Sequence, residues 1–370
     1  MGEGRGMVKV LVVDDSALMR RRIAELLTGA GFQVETAATG EEALARLPVW
    51  DPDVVTLDVT MPGMDGLACL ARIMVEHPKP VVMVSALTAA GADETLEALR
   101  LGAVEAVQKP AGTIGRIGDA LVETVRAAAS SRPRRVHGLR ERLRLARARI
   151  AGEDFVAPEP VPLPIPPAER AGSGEGVVLV GVSTGGPSTL EDILPALPAG
   201  FPWPVVVAQH MPVAFTMTLA RRLDEMCALR VVEATRAAVL EPGMVCIARG
   251  GADVELARRG GRLQAVSVPP SADRPWHPNT DRLVASALRL LPADRLVGVL
   301  LTGMGNDGAE SMAELRRRGG RTIAESEDSA VVFGMPQELI RRGGASVVLP
   351  SDRIAGQLTR WLAPIMKRAE

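Results

Sequence analysis

Short apolar runs alternate with stretches of helical periodicity along two long parts of the chain. In residues 9–128 the runs are Lys9–Asp15, Gln33–Ala37, Val54–Asp58, Val81–Ser85 and Ala106–Pro110, with periodic segments near 17–28, 41–47, 66–76, 92–101 and 114–128. Runs rich in valine, isoleucine and leucine suit strands buried on both faces, and the segments between them suit the helices that cover those faces. Repeated βα units at this spacing predict a doubly wound, flavodoxin-like domain with a five-stranded parallel sheet. The alternation resumes with runs at Val177–Ser183, Pro204–His210, Arg230–Ala234, Met244–Ala248, Asp253–Ala257, Leu263–Val268, Leu296–Thr302, Arg321–Ala324 and Ser346–Leu349. Helical stretches there fall near 188–197, 213–226, 281–291, 308–318, 335–342 and 352–367. The second half therefore reads as another doubly wound, mainly parallel α/β domain, with a β-hairpin region inserted around 244–268.

Between the two parts the pattern breaks. Arg132 to Arg149 is strongly basic with leucines at helical spacing, and a Pro-rich piece and a Gly/Ser piece follow it. This reads as a solvated helix and a semi-rigid spacer across which few contacts pass. The expected boundaries are 7–128, a linker at 129–175, and 176–367. Residues 1–6 read as a disordered lead before Met7.

Composition narrows the class. Hydrophobic residues make up 47% and charged residues 24%, with a formal net charge of −1. That is ordinary globular composition, with no global charge to favour nucleic acid. No apolar stretch approaches the roughly 20 residues that span a bilayer, so direct membrane insertion is not expected. Cys69, Cys227 and Cys246 have neither metal-ligand spacing nor an even count for pairing, which fits a reducing cytoplasm.

Each half carries its own chemistry. In a doubly wound sheet the working residues gather at the carboxyl ends of the strands, and Asp14, Asp15, Asp58, Ser85 and Lys109 all end apolar runs in the first half. Three carboxylates at adjacent strand ends repel unless a cation holds them, and Mg²⁺, a hard ion, suits carboxylate oxygens. Asp58 is then placed as a nucleophile toward phosphorus, with Lys109 and the Ser85 hydroxyl stabilising the phosphoryl oxygens.

The second half places Ser183 in Gly-Val-Ser-Thr-Gly after an apolar strand, a sequence that fits a nucleophile turn. A phosphate-cradling glycine loop is the other reading, but the lysine of a P-loop is missing. His210 ends the strand beside Ser183 and is the favoured base, with His277 in a Pro-rich loop as the alternative. Asp307 follows a third strand into Gly-Met-Gly-Asn-Asp-Gly and is the candidate to orient the imidazole. The same loop also reads as a helix cap supplied by Asn306 or Asp307. The order Ser, His, Asp differs from the Ser, Asp, His order of α/β-hydrolases.

The blocks VLVVDDSALMR, LDVTMPGMDGL, VMVSALT and VQKP resemble, in order and spacing, the receiver domain of two-component response regulators. VGVSTGGPSTL, VVVAQHMPVAFTMTLARRLD, LLTGMGNDGAESM and VVFGMPQELI resemble the catalytic domain of chemotaxis protein-glutamate methylesterases, the CheB family. The resemblance implies Asp58 as phosphoacceptor, Asp14 and Asp15 as metal ligands with it, and Ser85 and Lys109 as the phosphate switch. It also implies Ser183 as nucleophile, His210 as base and acid, and Asp307 as orienting carboxylate. The Met304 amide is then an oxyanion donor, and Thr184, Met304 and Met335 line the substrate side. The implied reaction is hydrolysis of glutamate γ-methyl esters on chemoreceptors, with deamidation of glutamines as a weaker activity. A histidine kinase is the implied phosphodonor, and phosphorylation is expected to relieve cover of the Ser183 cleft by the receiver. Three stretches depart from the family pattern: Arg249–Val254, Arg274–Asp281 and the pair Glu325-Ser326. A hydrolase acting outside chemotaxis and a non-catalytic binding regulator stay open as alternatives.

Overall fold

A computed structural model describes residues 7–85, 89–109, 115–131 and 176–366. The expected lead at 1–6 and the linker beyond residue 131 lie outside the described residues. The elements fall into two units.

In the first unit the chain runs β1 (Lys9–Val13), α1 (Ala17–Gly29), β2 (Gln33–Ala37), α2 (Gly40–Trp50), β3 (Val54–Asp58), α3 (Gly66–Glu76), β4 (Val81–Ser85), α4 (Ala89–Leu101), β5 (Glu105–Gln108) and α5 (Gly115–Ser130). The strand order is β2-β1-β3-β4-β5, and every pairing is parallel. β1 lies between β2 and β3, so the order reverses there and opens a crevice beyond the carboxyl ends of β1 and β3. β3 and β4 are buried along their whole length, which is why they read as apolar runs ending in Asp58 and Ser85, with Thr56 the one polar residue inside them.

One close approach in this unit ties packing to function. A Cβ on Gly66 would stand 2.1 Å from the Asp58 carbonyl oxygen and 2.8 Å from Val59 Cα. Backbone cannot retreat as a side chain can, so Gly66→Ala is expected to destabilise the first unit by about 1–3 kcal/mol. Denaturant unfolding of the intact chain checks this. An unchanged midpoint for that unit would show that the start of α3 yields freely.

The second unit runs β6 (Val177–Val182), α6 (Gly186–Ile193), β7 (Val205–Gln209), α7 (Val213–Met226), β8 (Arg230–Ala234), β9 (Ala237–Val239), β10 (Met244–Ala248), β11 (Asp253–Arg259), β12 (Arg262–Val268), α8 (Thr280–Leu290), β13 (Leu296–Leu300), α9 (Ala309–Arg317), β14 (Arg321–Glu325), α10 (Met335–Arg341), β15 (Val347–Leu349) and α11 (Ser351–Met366). Its main sheet is parallel, with seven strands in the order β15-β14-β13-β6-β7-β10-β8. The chain builds outward from β6 on one side, then returns to add β13, β14 and β15 on the other. The order therefore reverses at β6, and its carboxyl end is the natural crevice.

The region around 244–268 differs in detail from its sequence reading. Met244–Ala248 is not part of a hairpin; it pairs in parallel with β7 and β8 in the main sheet. The hairpin is β11–β12, and the short strand β9, not foreseen from the sequence, joins it to make a three-stranded antiparallel sheet. Three residues carry too little alternation to announce a strand. Buried side chains from the main sheet, the hairpin, α8 and α9 form one core, including Leu179, Val206, Leu256, Leu283 and Met312.

Candidate functional sites

Ser183 and His210 follow directly on β6 and β7, whose last paired residues are Val182 and Gln209. The His210 amide donates to the Val182 carbonyl at 3.0 Å, and the Ser183 amide donates to the Thr302 carbonyl at 2.9 Å. Both side chains are thus fixed on adjacent strand ends in the crevice. Gln209, buried beneath them, donates through Nε2 to the Ser183 carbonyl at 2.9 Å and to the His210 carbonyl at 3.0 Å. Thr302 Oγ1 donates to the Thr184 carbonyl at 2.8 Å and so holds the other side of the serine turn.

Asp307 arrives from the loop after β13. Its Oδ2 stands 2.8 Å from His210 Nε2. The carboxylate also accepts from the amides of Thr280 (2.6 Å) and Asp281 (3.1 Å) and from Asn279 Nδ2 (2.7 Å). These are the first amides of α8, so the carboxylate sits where the helix dipole favours negative charge. Burial opposes ionisation of Asp307, but the hydrogen bonds and charge of His210 and the two amides outweigh it and hold its pKa below the usual carboxylate value. The alternative reading of this loop as a cap for α9 does not hold for Asp307. Gly308 is the cap residue of α9, without a side-chain bond, and Asp307 serves the start of α8 instead.

An ionised Asp307 fixes the proton of His210 on Nε2 and leaves Nδ1 as the free lone pair. Nδ1 is buried without a hydrogen-bond partner. His277, the alternative base, is committed elsewhere: its Nδ1 lies 2.7 Å from Asp253 Oδ1. Ser183 and His210 thus stand on adjacent strand ends, with one imidazole nitrogen bound by Asp307 and the other free.

In the first unit Asp14, Asp15, Asp58 and Lys109 come together. Asp14 and Asp58 are buried, and Asp15 is exposed. One carboxylate oxygen from each of Asp14, Asp15 and Asp58 lies within 4.8 Å of the others. Lys109 Nζ is 2.7 Å from Asp58 Oδ2 and 2.9 Å from Asp14 Oδ2. Burial disfavours the charge on Lys109, but the bonds to Asp58 and Asp14 more than compensate and raise its pKa. Burial dominates at Asp58 and raises its pKa despite the lysine. Ser85, buried, ends β4 next to β3. Clustered hard oxygens, one of them exposed to water, fit a small divalent cation.

Two family descriptions match the chain: "Response regulator receiver domain" over residues 10–120 and "CheB methylesterase" over residues 178–358. A curated "Protein-glutamate methylesterase/protein-glutamine glutaminase 3" of Rhodospirillum rubrum is 56% identical over 362 residues, covering 96% of this chain and 97% of its own. A second relative of that name, numbered 2, from Rhodopseudomonas palustris is 50% identical over 360 residues, covering 96% and 98%. The chain belongs to the CheB methylesterase family. The solved catalytic domain of Thermotoga maritima CheB is 37% identical, covers 51% of this chain and 99% of its own, and gives a TM-score of 0.49.

Within this CheB fold the residues named for the substrate side divide. Met304 is partly exposed, and among the described residues its amide makes no hydrogen bond, as an oxyanion donor requires. Thr184 is largely buried, with its carbonyl held by Thr302. Met335 has no exposed surface, and its amide donates to the Gly303 carbonyl at 2.8 Å, so it backs the glycine loop from beneath. Sequence reasoning missed Gln209, Asn279 and Trp276. The one available signal lay in the departures from the family pattern, because Arg274–Asp281 supplies both Asn279 and Trp276. Glu325, in another of those departures, is buried and accepts from the Thr302 amide at 2.8 Å, so it braces the strand end that holds Ser183.

Proposed function

We propose that this CheB-family chain hydrolyses glutamate γ-methyl esters on chemoreceptors, deamidates glutamines there more slowly, and does so faster when Asp58 is phosphorylated. The observation that carries the hydrolytic reading is the buried, unpartnered Nδ1 of an imidazole whose other nitrogen is bound by Asp307, at the strand end beside Ser183. The Ser183 hydroxyl attacks the ester carbonyl while its proton passes to His210 Nδ1. The oxyanion takes a hydrogen bond from the Met304 amide. Asp307 stabilises the imidazolium, which then protonates departing methanol. Water, deprotonated by the same nitrogen, attacks the acyl-enzyme, releases glutamate and restores Ser183.

The regulatory half covers residues 7–128 and the catalytic half 176–367 in this reading. A histidine kinase supplies the phosphoryl group, and both partners place the protein in the cytoplasm. No helix among the described residues is long and apolar enough to cross a membrane. Asp14, Asp15 and Asp58 would hold Mg²⁺, which supplies positive charge near the phosphoryl oxygens. Asp58 presents the accepting carboxylate, Lys109 balances charge beside it, and Ser85 closes on the phosphoryl oxygens.

The test is methanol release from methylated receptor membranes, with and without a small phosphodonor and Mg²⁺. Release is expected to rise with phosphodonor. Asp58→Asn is expected to keep the basal rate and lose that rise. A rise that survives Asp58→Asn would place the phosphoacceptor elsewhere.

A further inference from the structure

The indole of Trp276 stacks on the imidazole of His210, with ring centroids 6.2 Å apart and planes within 5°. The offset leaves part of the indole uncovered, and the residue is partly exposed. The benzo edge of the ring lies against the glycine loop. A Cβ on Gly305 would stand 2.7 Å from Trp276 Cζ2, and Gly305 has φ +84°, so glycine is required there twice over. One buried carboxylate pins the loop that presents the indole. Asp253 accepts from the Ser271 amide (3.0 Å), His277 Nδ1 (2.7 Å), the Asn279 amide (2.9 Å) and Arg282 Nη1 (2.9 Å). These partners outweigh burial and lower the pKa of Asp253. The indole is therefore a preorganised wall in contact with both the base and the oxyanion loop, held independently of substrate.

We propose that Trp276 is a specificity-determining residue that favours a methyl ester over an amide at the leaving-group position. The inference rests on the hydrolytic reading above. His210 gives the leaving group its proton, so that group must lie within reach of the imidazole and of the indole stacked on it. In the ester reaction the Ser183 Oγ–carbon bond forms, the carbon–OCH₃ bond breaks, and the proton from Ser183 leaves on methanol. In the amide reaction the carbon–nitrogen bond breaks and ammonia carries the proton away. The aromatic face accepts a methyl group. To an amide NH₂ it offers only a weak π acceptor, so burying that NH₂ against it costs free energy.

The experiment measures methanol and ammonia release from one receptor preparation carrying both methylated glutamate and glutamine. It uses the full chain with Trp276→Ala, Trp276→Phe and Trp276→Gln, and Ser183 labelling by a fluorophosphonate reports an intact site. A methyl group in an apolar pocket is worth about 10–200-fold in discrimination. The methanol-to-ammonia ratio is accordingly expected to fall about tenfold or more in the alanine variant, to recover with phenylalanine, and to fall furthest with glutamine. Equal loss of both products, or an unchanged ratio, overturns the proposal and leaves Trp276 as packing for His210. Should the alanine variant fail to fold, the comparison of Phe with Gln decides: a lower ratio in Gln supports selectivity, and equal ratios overturn it. Wild-type chain that labels at Ser183 yet releases no methanol overturns the parent reading, and this one with it.

Discussion

Ser183→Ala is expected to remove methanol release almost entirely while leaving the fold intact. Losing the nucleophile of a serine triad costs on the order of 10⁶-fold in kcat, because the base and the carboxylate have nothing left to activate. The structural cost is small. The Ser183 side chain makes no hydrogen bond among the described residues, and the turn is held by the backbone: the Ser183 amide to Thr302, and the Ser183 carbonyl to Gln209. Stability is therefore expected to change by less than about 1 kcal/mol. Methanol release and thermal unfolding, measured on the same preparation, check both halves. Retained turnover would take Ser183 out of the mechanism. Lost turnover together with a lost fold would leave its role undecided on this variant, which is why the Asp58→Asn and Trp276 series keep Ser183 in place.

The parts of the site that were legible in the sequence are those that strand ends announce. Ser85 and Ser183 directly follow uninterrupted apolar runs, Asp58 ends a run broken only by Thr56, and His210 comes one residue after its run, behind Gln209. A strand buried on both faces gives such a run, and the first polar residue after it marks the working edge of the sheet. Asp307 was legible through its glycine-rich loop, but its setting was not. Its four hydrogen-bond donors include two amides and one side chain from residues 279–281, and only folding brings these close. Trp276 and Asn279 were unreadable for the same reason: their loop has no periodicity, and the residue that anchors it, Asp253, opens a hairpin strand over 20 positions earlier. The short strand Ala237–Val239 was invisible because its pairing with Gln264, Ala265 and Val266 depends on the hairpin already being formed.

Asp307→Asn is expected to lower both activity and stability, and the hydrogen-bond inventory says why one amide cannot replace this carboxylate. Oδ2 accepts from His210 Nε2 and the Thr280 amide, while Oδ1 accepts from Asn279 Nδ2 and the Asp281 amide. An asparagine has one accepting oxygen, so either orientation turns an NH₂ toward two donors. With the NH₂ toward His210, the imidazole must take the opposite tautomer, and Nδ1 is no longer a free base. That predicts a fall in kcat of about 10⁴-fold. With the NH₂ in the Oδ1 position, Asn279 Nδ2 and the Asp281 amide lose their acceptor and the imidazolium loses its counter-charge. Each buried donor left facing an NH₂ costs about 1–3 kcal/mol. The pH dependence separates this cost from simple mispacking. The folded pKa of Asp307 is depressed, so its stabilising contribution is complete above the unfolded value of about 3.9 and is lost as pH falls through the folded pKa. The Asp307 part of the stability gap between wild type and Asp307→Asn should be fully present at about pH 5 and shrink as pH falls below about 4, read by urea unfolding across that range. A gap that persists unchanged to the acid limit of folding would mean that shape rather than charge is what Asp307 contributes, and the ionised carboxylate would lose its place in orienting His210.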